Sequence, residues 1–206
     1  RVPDRDPMSD PAATVRYLAL RYSRRSQEMM GVLYLDTRQR VLSEGELFRG
    51  TLNRAAAEPR AILTASTEFC ESYLIPGPDG TLMARPASSP ENEFFYIDKN
   101  GVKQKAALSA GTTVEQFLIL QVFNDYLEAA EVLGKMDDPL VKRVQELLPK
   151  IYRPKVAADG RLMEWRLPFE ETSPGHRHIS HVIGAYPGNV IDLDDDPVMR
   201  SAVIKS

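Results

Sequence analysis

Apolar positions recur along this chain with two different periods, and the elements follow from which period holds where. Ser9-Asp10-Pro11 reads as an N-cap followed by proline in the first helical turn. Val15, Leu18, Ala19 and Tyr22 then share one face of a predicted helix. The run MMGVLYLD, residues 29–36, predicts a strand, and its unbroken apolar character predicts burial on both faces. Asp36-Thr37-Arg38-Gln39 would turn it, and RVLSEGEL, residues 40–47, returns with Val41 and Leu47 in alternation. A further helix is predicted from near Glu58-Pro59 to about Tyr73, with Ile62, Ala65, Phe69 and Tyr73 along one side.

Beyond that point the pattern is mostly helical, with short hairpins between. IPGPDGTL, residues 75–82, carries turn chemistry. FFYIDKNGVKQK, residues 94–105, predicts a hairpin with Asn100-Gly101 in a type I′ turn. Thr113 and Gln116 have the spacing of a capping box, and the helix they open is predicted to end at Gly134. Asp138-Pro139 and Asp196-Pro197 open two more helices, and Asp159-Gly160 makes a turn. Helices joined by long loops with small hairpins predict a helical barrel or bundle.

Composition divides the chain. Residues 1–62 hold eleven arginines and no lysine, whereas residues 63–206 hold eight lysines and seven arginines. Formal charge is +3 in the first part and −6 in the second, for a net −3 over 206 residues. That balance offers no electrostatic reason to expect nucleic acid. The single cysteine, Cys70, excludes an internal disulfide and fits a reducing compartment. No apolar run approaches the roughly 20 residues of a membrane span, so no membrane partner is expected. No signal peptide is read and a cytoplasmic location is the default expectation, although the chain begins at Arg1.

Three groups of residues carry candidate chemistry. His176, His178 and His181 lie within six residues, bracketed by Pro174-Gly175 and Tyr186-Pro187-Gly188. His-x-His-x-x-His suits zinc, a ligand-binding edge, or simply a polar loop, and Arg177 within it disfavours a divalent cation. Glu91, between turn-forming residues and an aromatic strand, would become a general acid if desolvation against Phe94, Phe95 or Tyr96 raised its proton affinity; otherwise it is an exposed loop carboxylate. Glu164-Trp165, with Glu170 and Glu171 beyond, suits a sugar stacked on indole, or a core tryptophan. The acidic run Asp192, Asp194, Asp195, Asp196 lacks the spacing of a calcium loop.

SSPENEF (88–94), DYLEAAEVLG (125–134), EW (164–165) and PGHRHISHVIGAYPG (174–188) stand in the order and rough spacing of one family. Together they resemble glycoside hydrolase family 95, the inverting α-L-fucosidases. The resemblance covers about residues 63–206 and implies a partial (α/α)6 barrel. The expected fold class is therefore mainly α with small β-hairpins, the partial barrel preceded by a short α+β segment. It also implies Glu91 as the general acid, with Asn92, Trp165, His176, Arg177, His178 and His181 around the sugar. No metal and no cofactor are implied; the implied partner is a fucosylated oligosaccharide or related glycan.

The family's base is a pair of asparagines polarised by an aspartate. No match to the asparagine motif is found, and the aspartate would fall beyond the last residue. Thr113-Val114-Glu115 departs from the family's usual Thr-Met-Asp. These departures put turnover in doubt and leave an inactive carbohydrate-binding module as the alternative. An incomplete ring would also expose apolar faces and self-associate.

VLYLDTRQRVLSEGELFRGTLNRAAAEPRAIL, residues 32–63, is similar to the RadC family of JAB-type metal-dependent domains. The family's His-x-His-Pro-Ser-Gly zinc motif is missing, so a JAB-type metalloprotein is the weaker alternative. The expected organisation is a RadC-like segment at 1–62 joined to a hydrolase-like segment at 63–206, a fusion of two incomplete domains.

Overall fold

The computed structural model describes residues 11–23, 29–35, 40–49 and 59–206, with Phe48 and Arg49 as backbone. The Ser9-Asp10 cap, the Asp36–Gln39 turn and most of the Phe-Arg-Gly-Thr-Leu-Asn segment fall outside the described residues. The chain divides into two units, Arg1–Phe69 and Cys70–Ser206, with the division inside a helix.

In the first unit, helix α1 (Pro11–Tyr22) precedes an antiparallel hairpin of β1 (Met29–Leu35) and β2 (Val41–Arg49). The hairpin pairs Met29 with Arg49 and Tyr34 with Ser43. Every described β1 side chain is half-buried or exposed, so the predicted two-sided burial is not met. An apolar run is compatible with one covered face as well as two. Glu44 ties α1 to β2: its carboxylate accepts from Tyr22 Oη at 2.7 Å, Tyr17 Oη at 3.1 Å and Arg21 Nε at 2.7 Å. These contacts hold the Glu44 carboxyl below its ordinary proton affinity, Arg21 contributing most. Helix α2 (Pro59–Tyr73) closes this unit and leads into the next.

The second unit is organised by α3 (Thr113–Val132) and α4 (Pro139–Leu147). Phe117, Leu120 and Phe123 of α3 and Leu140, Val141 and Val144 of α4 are buried. Asp138 caps α4 by accepting from Leu140 N at 2.9 Å, and Asp196 caps α5 (Pro197–Lys205) by accepting from Met199 N at 2.9 Å. Gly134 takes φ of 63° just beyond α3, the left-handed terminus the sequence predicts. Short strands pair as β3 (Leu74–Pro76) with β4 (Leu82–Ala84) and β5 (Ala87–Ser88) with β8 (Leu108–Ser109). β6 (Phe94–Ile97) lies between β7 (Lys103–Ala106) and β9 (Glu170–Glu171).

The fold class expected from sequence is overturned. The described residues form five α-helices and four small antiparallel sheets, with no helical ring and no partial (α/α)6 barrel among them. The cause lies in residues 148–196. Pro149, Pro154, Pro168, Pro174 and Pro187 each remove a backbone donor and block helix continuation. That stretch holds only two short 3-10 turns, a two-residue strand and irregular chain. Two local expectations also change. Only Gly101, not Asn100, has positive φ in the β6–β7 connection, so the turn is not type I′; it closes through Gly101 N donating to Asp98 O at 3.0 Å. No capping box forms either, because Thr112 is the N-cap residue and Gln116 points elsewhere.

The first turn of α3 is instead a polar clamp on the surrounding loops. Gln116 is fully buried. Its Oε1 accepts from Ala84 N at 2.8 Å, and its Nε2 donates to Tyr152 O at 3.1 Å. Thr112 Oγ1 donates to Ser88 O at 3.1 Å. Thr113 Oγ1 donates to Met163 O, and Thr113 N donates to Glu164 O at 3.1 Å. Glu115 Oε1 accepts from Ser88 N at 2.8 Å. Gln116→Ala strands a buried amide and a buried carbonyl, so it should lower unfolding free energy by about 2–4 kcal/mol. Urea titration of the full chain followed by Trp165 fluorescence checks this; an unchanged midpoint would show the clamp to be dispensable.

Candidate functional site

Two loops meet because of a strand pairing that is distant in sequence. β6 pairs with β9 through Phe94 with Glu171 and Phe95 with Glu170. Thr172 N extends the pairing by donating to Glu93 O at 3.1 Å. The chain before β6 and the chain after β9 are thereby laid side by side, which brings residues 89–92 against 174–181. Phe94 packs on Trp165 at 4.7 Å and stacks on Phe169 at 4.0 Å between ring centroids, anchoring the pairing in an aromatic cluster.

Glu91 stands at the tip of a tight turn. Asn92 N donates to Ser89 O at 3.1 Å, with Pro90 and Glu91 between. Glu91 has φ of 55°, alone among non-glycine described residues in the left-handed region. Proline first and a positive-φ residue second is the arrangement of a type II turn, whose second position favours glycine. A glutamate there is a strained choice that the fold must hold in place.

The structure brings Glu91 together with Arg177 and His178. The Arg177 guanidinium donates to the Glu91 carboxylate, and His178 Nε2 lies 3.0 Å from Glu91 Oε2. Arg177 Nε also lies 3.3 Å from His178 Nε2. One ring nitrogen cannot both donate to Glu91 and accept from Arg177, so a single proton decides which contact is the hydrogen bond. Contact with His178, followed by the charge of Arg177, holds the Glu91 carboxyl below its ordinary proton affinity. The expected desolvation against aromatic rings is not found: the Glu91 side chain is 59% exposed. In this state Glu91 is an ionised acceptor at neutral pH.

The other expected residues occupy different surroundings. His176 is half-buried, its Nδ1 accepting from His178 N at 3.2 Å. His181 is buried, its Nδ1 3.5 Å from Glu164 Oε2 and without a hydrogen-bond partner. Asn92 is buried, with Oδ1 accepting from Glu93 N at 2.9 Å and Nδ2 without a partner. Trp165 is buried in the aromatic cluster and its Nε1 also lacks a partner. Among the described residues no three His, Cys, Asp or Glu side chains converge as metal ligands, and no helix is long and apolar enough to cross a membrane. Sequence reasoning missed Ser89 and Glu115 as contributors; Ser89 lies inside the quoted SSPENEF segment, but nothing local marks it as buried.

Comparison with known proteins adds the following. Residues 50–206 match the family described as the glycosyl hydrolase family 95 catalytic domain. Residues 8–75 match the RadC-like JAB domain. The chain is 34% identical over 142 residues to Alpha-L-fucosidase 2 of Arabidopsis thaliana, covering 69% of this chain and 16% of that protein. It is 32% identical over 117 residues to Probable alpha-fucosidase A of Aspergillus oryzae, covering 54% of this chain and 14% of that protein. A UPF0758 protein of Nitrosococcus oceani is 45% identical over 58 residues, covering 28% of this chain and 26% of that protein. The chain thus spans only a small part of the length of the relatives it matches.

Two outcomes follow from the site's geometry. Glu91→Gly removes the side chain and suits the left-handed backbone, so the melting temperature should stay level or rise while the contact with Arg177 is lost; calorimetry showing a clear fall would mean that the side chain supports the fold. Burial pushes the His181 imidazole below its ordinary 6.5, while Glu164 and Glu171 pull it upward and Arg161 adds to the lowering. The unfolded chain therefore binds the proton first as pH falls, and stability should decline from about pH 6.5 downward. Denaturant midpoints between about pH 7 and pH 5 should show a shallower decline in His181→Gln than in the natural chain.

Proposed function

This chain belongs to the glycosyl hydrolase family 95 catalytic-domain family over residues 50–206, and from that premise we propose that it forms the general-acid side of an α-L-fucosidase-like site. The substrate is a glycan with terminal α-linked fucose. Glu91 is the acid; Arg177 and His178 are the nearest groups to bind sugar hydroxyls, with His176 and Asn92 beside them and His181 and Trp165 behind. The join to the RadC-like segment lies near residue 62.

The observation that carries this reading is a glutamate kept in left-handed backbone at a turn tip and met there by a cation and an imidazole. Such strain is retained where a side chain must be presented. As it stands the carboxylate is ionised, so acid catalysis needs a bound sugar to change its surroundings. A glycan seated on Arg177 and His178 competes for their donors and removes water from Glu91. Both effects raise the carboxyl's affinity for a proton, which it takes from solvent and passes to the leaving glycosidic oxygen. Inversion further requires a base and a water on the opposite face of the sugar. The described residues contribute the acid side of such a site.

A second reading, an inactive carbohydrate-binding module, is favoured by the same depressed proton affinity of Glu91. Titrating the full chain with a 2′-fucosylated oligosaccharide, read by NMR and by released fucose, separates the two. Perturbed Arg177 and His178 resonances with turnover that falls at least ~100-fold in Glu91→Gln support the acid reading. The same perturbations without turnover support the binding module, and no perturbation at these residues would sink both.

A further inference from the structure

Behind Glu91 lies a buried polar chain that the acid role leaves unexplained. Ser89 is 2% exposed and its Oγ donates to Glu164 Oε1 at 2.5 Å. Glu164 is 7% exposed, and its Oε2 faces His181 Nδ1 at 3.5 Å, an electrostatic approach without a hydrogen bond. Arg161 and Glu171 are the other charged groups acting on His181, and they lie 4.0 Å from each other. One end of this chain anchors the turn that carries Glu91, because Ser89 O accepts from Asn92 N across it. The other end anchors the segment that carries Arg177 and His178, because His181 lies in the 3-10 turn Ser180–Gly184 that follows them. That turn is seated on α3: a Cβ built on Gly184 would fall 2.7 Å from the Phe117 ring. Glu164 itself is fixed to α3 through its backbone, Glu164 O accepting from Thr113 N.

A carboxylate taken from water in this way is costly unless its oxygens are engaged. Apolar side chains of similar volume would hold two loops together at least as well. What the Ser89–Glu164 hydrogen bond adds is direction, since a hydrogen bond fixes angle and distance where apolar contact does not; His181 adds an electrostatic contact on the other carboxylate oxygen. We propose that Ser89, Glu164 and His181 form a brace that sets where Glu91 stands relative to Arg177 and His178, which makes Glu164 a positioning residue for the acid. The assignment rests on the reading of Glu91 as the acid, but the geometry it predicts exists without any sugar.

The test is therefore made on the unliganded full chain by NMR. Its quantity is the displacement of the Arg177 Nε–H and His178 ring resonances produced by Glu91→Gln. With the natural brace the displacement should be large. In a Ser89→Ala background it should shrink by roughly threefold or more, while the Trp165 indole signal and the core methyl signals stay in place. Glu164→Gln, whose amide oxygen can still accept from Ser89, should keep most of the displacement, and Glu164→Leu should lose it. Should Glu164→Leu fail to fold, Ser89→Ala decides alone. A folded Ser89→Ala protein with undiminished displacement overturns the brace. No displacement even with the brace intact overturns both the brace and the contact beneath it. Absence of sugar binding with the displacement pattern as predicted would remove the fucosidase reading and leave the brace standing.

Discussion

Four polar positions around the start of α3, Thr112, Thr113, Glu115 and Gln116, tie the loops of the second unit to that helix. A helix start has unsatisfied amides and usually takes its partners from its own capping side chains. Here the side chains turn outward and satisfy the backbones of other segments: Ser88, Ala84, Tyr152 and Met163. Those segments have little regular structure of their own, so buried amides and carbonyls within them would otherwise lack partners. The same turn accordingly fixes both Ser88, next to the turn carrying Glu91, and Glu164, which faces His181.

From that base the site is assembled by three connections of different kinds. Backbone pairing of β6 with β9 brings two distant loops together. The Phe94–Trp165–Phe169 cluster seals that pairing from water. The Ser89–Glu164–His181 chain then orients what the pairing has brought close. Glu91 stands at the end of all three, in left-handed backbone within a turn whose two ends, Ser89 and Asn92, are buried and bonded to each other. The nearby cation and imidazole favour the ionised carboxylate, and a ligand that draws them away reverses the preference.

Two other groups in this unit are held in their neutral form. Burial pushes the Cys70 thiol up to about 11, which leaves it protonated and a poor nucleophile. Burial also pushes Tyr73 up to about 12, with Glu115 adding to the effect. Each is better explained as packing than as chemistry. The contrast with Glu91, exposed and held ionised, narrows the chemically poised groups to the turn at 89–92 and the loop at 174–181.

By itself the sequence determined many of the local elements. Helix starts at Asp138-Pro139 and Asp196-Pro197, the end of α3 at Gly134, the turn at 75–82 and the hairpin at 94–105, though not its turn type, are short-range matters, decided by caps, prolines and glycines within a few residues. Glu91, Arg177 and His178 were legible because they sit in long motif strings. The tertiary structure alone decided that Gln116 and Thr113 would clamp foreign backbone instead of capping their own helix, since a polar side chain takes whichever buried partner the fold presents. It alone decided that Trp165 would be enclosed by Phe94 and that His181 would part from His178 to face Glu164. And it decided the architecture, because the proline-rich stretch after α4 cannot continue as helix, and where such a chain goes depends on distant partners that no local pattern encodes.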